Sequence, residues 1–69
     1  METLGNRIKE LRLDKGLTQA DVAKVMHVAF GTISNWERGV RTPSLEELGE
    51  LANFFAVTTD YLLGRTNIY

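Results

Sequence analysis

Thr32, Ser34, Asn35 and Arg38 stand within seven residues of one another, in the stretch FGTISNWER at residues 30–38. Their side chains donate and accept hydrogen bonds, and none is paired with a base that would make it a nucleophile. The set suits recognition better than bond-making. Asn35 can bond adenine N6 and N7 together, and Thr32 can reach a base or a phosphate. Arg38 can contact guanine or, at a helix end, a phosphate. Phe30 can touch thymine methyl groups, or pack on a partner or on the first helix. Gly31 costs up to about 1 kcal/mol of helix propensity relative to alanine, which a close approach of backbone to DNA would offset.

These side chains need a helix to present them. At about 100° per residue, Ile33, Trp36 and Glu37 fall on one side of a helix over Phe30–Arg38. Gly31, Asn35 and Arg38 fall on the other, with Ser34 beside them, and Gly39 is placed to stop the helix. A shorter helix precedes it. Thr18 and Asp21 form a capping-box-like pair, and Val22, Ala23 and Met26 make one face apolar. His27 and Val28 form the turn between the two helices. A small polar helix face of this kind fits the major groove of DNA, which admits an α-helix.

The flanks read as three more helices. Leu4, Ile8 and Leu11 mark an amphipathic helix from Thr3 to about Lys15, with Arg7, Lys9 and Lys15 solvated and Gly16 as its stop. Leu17 fills the core before the Thr18 cap. Ser44 and Glu47 form a capping box for a helix to about Phe55, with a core stripe of Leu45, Leu48, Leu51, Ala52 and Phe55. Gly49 within it suggests the close approach of another helix. Val57 is core, Phe54 partly covered. Thr58 caps a last helix, Thr59 to Leu63, in which Tyr61 and Leu62 pack inward and which Gly64 closes.

The run TQADVAKVMHVAFGTISNWERGVRTPSLEEL, followed by VTTDYLLG, resembles the helix-turn-helix domain of phage Cro and repressor proteins and Xre-type bacterial regulators. The resemblance covers about Asn6 to Gly64 and is most specific from Thr32 to Leu48. It implies an all-α, compact five-helix bundle like that of the lambda repressor, with the helix-turn-helix at helices 2 and 3, and a single domain over residues 1–69. The family's function implies a sequence-specific transcriptional regulator, a repressor, whose dimer sets the helix at 30–38 into the major groove of a palindromic operator.

The resemblance also assigns residues. It pairs Arg12 with Glu37 as a structural ion pair. It sets Gln19 at the DNA backbone or against a neighbouring recognition side chain, and Arg41 and Thr42 at the phosphates. Leu63, Ile68 and Tyr69 become dimer candidates, the alternative being a frayed end. Two positions depart from the family. His27 stands where glycine is usual, at a position expected to need positive φ, which histidine tolerates better than most residues. Ala29 stands where Ser or Thr would cap the recognition helix, a loss of about 0.5–2 kcal/mol. Relatives often carry long polar base-reading side chains where Phe30 and Gly31 sit.

Composition sets the outer limits. Sixty-nine residues permit one domain, and a chain this short buries only about 60% of its unfolded surface. With no cysteine and one histidine, no disulfide, thiolate site, zinc site or other cofactor is expected, and no enzymatic activity. No apolar run approaches the ~18 residues of a membrane span, so a soluble intracellular protein is expected; the resemblance implies a cytoplasmic protein of bacterial or phage origin acting on double-stranded DNA. Net charge is −1, but residues 1–41 hold seven cations and five anions (+2), and residues 42–69 one cation and four anions (−3). The cationic half carries the proposed DNA face. Glu46, Glu47 and Glu50 are a solvated face or turn toward a partner. The acidic half and Phe30 keep a second reading open, a protein-interaction module such as an antitoxin facing its toxin or a regulator controlled by an antirepressor.

Overall fold

The computed structural model describes residues 3–69, and all regular structure among them is helical: α1 (Leu4–Asp14), α2 (Gln19–Met26), α3 (Phe30–Arg38), α4 (Leu45–Phe55) and α5 (Thr59–Leu62). Each start has a chemical cause. Thr3, Thr18, Ser44 and Thr58 accept from the backbone N–H three residues on, and the boxes Thr18–Asp21 and Ser44–Glu47 are closed in both directions. α3 is the exception: Ala29 makes no side-chain cap.

The ends are equally specific. Gly16, Gly39 and Gly64 take positive φ after α1, α3 and α5. His27 (φ 58°) and Ala56 (φ 57°) do the same after α2 and α4 without glycine's freedom. The expected positive φ at His27 is therefore present. α5 stops one residue short of expectation, with Leu63 as its C-cap.

The helices close on one core, in which Ile8, Val22, Ile33, Leu51 and Leu62 are fully buried, one from each helix. Leu17, Phe54 and Val57 pack against it, partly covered. α3 is the hub, with α1 and α2 both lying against it. No helix among the described residues is long and apolar enough to cross a membrane.

Three expectations need correction. Leu45, assigned to the core stripe, is 88% exposed: it is the first residue of α4, before the stripe reaches the core. Gly49 has open space where a side chain would stand, so no helix approaches it. The close approach is at Gly5, where an added Cβ would lie 2.5 Å from the carbonyl oxygen of Glu37 and 2.6 Å from that of Trp36. Arg7, read as solvated, is 4% exposed. Its Nη1 donates to the Thr66 carbonyl (3.2 Å), its Nη2 to Asn67 Oδ1 (2.8 Å), and its guanidinium lies 4.0 Å from the centre of the Tyr61 ring.

Candidate nucleic-acid interface

α3 is held from behind. Ile33 and Trp36 are buried in the core, and Glu37 beside them accepts from Arg12 Nε at 2.7 Å and Arg12 Nη2 at 3.1 Å. Arg12 also donates to the Leu17 carbonyl at 2.9 Å, which ties the α1–α2 connection into the same cluster. Gln19 joins it, with Nε2 donating to Glu37 Oε1 at 3.1 Å. Its amide thus lies against the structural Glu37, not against a side chain on the outer face of α3. A doubly charged, forked and largely buried pair is the kind that fixes one helix against another, since charge-assisted forks have narrow geometry.

The opposite face is open. Phe30, Gly31 and Arg38 are exposed, Thr32, Ser34 and Asn35 half-buried. Phe30 is 58% exposed, so it does not pack away against α1. A side chain added at Gly31 would meet nothing within 4 Å, so no intramolecular contact requires glycine there. Asn35 and Arg38, one turn apart, are joined: Arg38 Nη2 donates to Asn35 Oδ1 at 2.7 Å.

Past Gly39 the chain turns through Val40 and the exposed Arg41 and Thr42. The Asn35 carbonyl accepts from Val40 N–H at 3.0 Å and Arg41 N–H at 3.3 Å, which sets this loop against the end of α3. Arg38, Arg41 and Thr42 border one open cleft, whose far wall is the start of α1. The sequence-assigned residues thus form two groups. Phe30, Gly31, Thr32, Ser34 and Asn35 run along α3. Arg38, Arg41 and Thr42 gather at its far end, with two cations that would meet an anion. Gln19 lies behind, in the Arg12–Glu37 cluster. Leu63, Ile68 and Tyr69 are on a separate, exposed surface near α5, where the Tyr69 ring lies 4.6 Å from that of Tyr61.

The Thr18 backbone N–H, 2.9 Å from Asp21 Oδ2, holds the Asp21 carboxyl below its usual range. Arg7 is the residue that sequence reasoning missed, although a signal was present: Leu4, Arg7 and Leu11 fall at i, i+3 and i+7 on the inward stripe.

The helix-turn-helix family profile matches residues 8–62. The chain belongs to the helix-turn-helix family. Among its relatives, the HTH-type transcriptional regulator ImmR of Bacillus subtilis (strain 168) is 39% identical over 66 residues, covering 96% of this chain and 52% of ImmR. The cryptic phage CTXphi transcriptional repressor RstR of Vibrio cholerae is 34% identical over 65 residues, 91% of this chain and 59% of RstR. This helix-turn-helix chain therefore spans about half the length of these relatives. Among solved structures, the P22 c2 repressor in complex with a synthetic operator superimposes with a TM-score of 0.86 at 33% identity, covering 91% of this chain and 96% of that one. The all-helical, five-helix architecture expected from the sequence is thus shared with that repressor.

Proposed function

We propose that this chain is a sequence-specific DNA-binding transcriptional regulator, acting as a repressor, with α3 as its recognition helix. The observation that carries the reading is the two-sidedness of α3. Its inner side is locked by Ile33, Trp36 and the Arg12–Glu37 fork, and its outer side presents Phe30, Gly31, Thr32, Ser34 and Asn35. The likeness to a repressor in complex with its operator supports the same use of the fold. Arg41 and Thr42 then meet the phosphates beside the groove and set the register of α3, adding salt-dependent affinity, while Arg38 stands beside Asn35 at the end of the helix. Gln19 supports the helix through Glu37. A dimer formed around Leu63, Ile68 and Tyr69 would place two copies of α3 in successive major grooves about 34–36 Å apart. Binding over a promoter would then exclude polymerase.

Selection of bound sequences from random duplex DNA, followed by titration at several salt concentrations, tests this. A two-fold symmetric site with half-sites about one helical turn apart and a steep salt slope is the expected result. No enriched site and a flat slope would favour a protein-interaction module instead, with an antirepressor or toxin as partner. The exposed Phe30 is the observation on that side.

A further inference from the structure

We propose that Arg38 and Asn35 act as one guanine-reading pair, in which Arg38 turns Asn35 away from adenine. The inference deepens the DNA reading above and rests on it. Arginine has only donors, so the Asn35 atom 2.7 Å from Arg38 Nη2 must be the carbonyl oxygen. That fixes the amide: Oδ1 faces Arg38, and Nδ2 with its two hydrogens faces away. The backbone beneath is fixed too, because the Asn35 carbonyl is held by the N–H groups of Gly39, Val40 and Arg41. Asn35 and Arg38 therefore form one unit at the end of α3.

What that unit offers a base is decided by its atoms. An isolated Asn reads adenine by accepting from N6 while donating to N7. Here one of the two acceptor positions of that oxygen is taken by a cation, and an approaching adenine would bring its N6 hydrogens toward a guanidinium that can only donate. Guanine instead presents two acceptors on its major-groove edge, O6 and N7. Asn35 Nδ2 and the remaining Arg38 N–H groups are all donors, and they complement that edge. The pair should therefore specify guanine at the base pair it reaches.

Three proteins test this by selection from random duplex DNA and affinity measurement: the unmodified chain, Arg38→Met and Arg38→Lys. Arg38 is exposed, so both variants keep the core intact. The unmodified chain should enrich guanine at one position per half-site. Arg38→Met should shift that position toward adenine, because Asn35 Oδ1 is released, and both variants should lose about tenfold in affinity for the guanine site. Arg38→Met is the decisive variant, since it keeps the reach of the side chain and removes every donor to Asn35 Oδ1, whereas Arg38→Lys keeps a cation and a donor and should move the preference less. Adenine enriched by the unmodified chain, or variants that weaken every sequence alike and leave the base preference unchanged, would overturn the proposal while leaving the DNA reading standing. Enrichment of no sequence by any of the three would remove both.

Discussion

Arg12 on α1 grips Glu37 on α3 with two nitrogens, Nε to Oε2 at 2.7 Å and Nη2 to Oε1 at 3.1 Å, and both side chains are nearly covered. The helix proposed to read DNA thus takes its orientation from a charge on another helix. Removing one partner leaves the other charge buried without its counterpart. Arg12→Ala or Glu37→Ala should each cost about 3–5 kcal/mol. The double variant should cost less than the sum of the two, and urea unfolding of all three would show it. A loss within the range of an exposed pair, about 0–1 kcal/mol, would mean that the pair does not fix α3.

Two glycines should respond in opposite directions. Gly5→Ala puts a methyl group against the Trp36 and Glu37 carbonyl oxygens. Backbone cannot rotate away as a side-chain tip can, so α1 and α3 must separate, at a cost of about 1–3 kcal/mol. Gly31→Ala meets nothing and should stabilise the helix by up to about 1 kcal/mol. If backbone approaches DNA closely at Gly31, the same change weakens binding of the selected site. Thermal melts beside binding titrations separate the two effects, and unchanged affinity in Gly31→Ala would remove the close-approach account.

The two left-handed residues without glycine's freedom offer a gain. Ala56→Gly should stabilise by about 0.5–1 kcal/mol, the left-handed penalty of alanine less the entropy that glycine loses on folding. His27→Gly should behave similarly, because His27 is exposed at the end of α2. Each should raise Tm by a few degrees, and no rise would mean that neighbouring contacts already offset the strain.

Tyr61 sets an alkaline limit. Burial pushes its phenol above the ordinary range, and the Tyr69 hydroxyl adds to the rise. A phenol raised in the folded state is protonated there at a pH where the unfolded chain has begun to ionise. Its contribution is therefore complete below the unfolded tyrosine value and lost as pH climbs through the folded one. Stability measured from pH 8 to 11.5 should fall more steeply for the unmodified chain than for Tyr61→Phe. Parallel curves would show that the phenol does not titrate with unfolding.

Arg41→Ala should weaken all DNA sequences alike and lower the salt slope by about one counterion, without changing the selected site. A changed base preference would place Arg41 in the groove, not at the phosphates.

Much of the fold was legible because its signals are local. Capping pairs such as Ser44–Glu47 lie three residues apart, and the stripe through Leu48, Leu51 and Phe55 shows its period directly. The inward side of α3 was readable for the same reason. What escaped needed the third dimension. Gly5 and Gly49 look alike in sequence, but only the first lies against a neighbouring backbone. Arg7 lies on the inward stripe of α1, yet its destination is almost sixty residues away, beyond any local pattern. The Asn35–Arg38 bond falls between these cases: the spacing places the two on one face, but the rotamers decide whether they meet.

The Arg7 clasp also gives the protein a timetable. On a ribosome, Arg7 emerges 59 residues before Thr66 and 60 before Asn67, the groups it holds. α1 can find α3 as soon as Glu37 leaves the exit tunnel, but the Arg7 side chain must wait until Thr66 and Asn67 have been made. The Arg7 clasp is thus closed long after α3 has been synthesised.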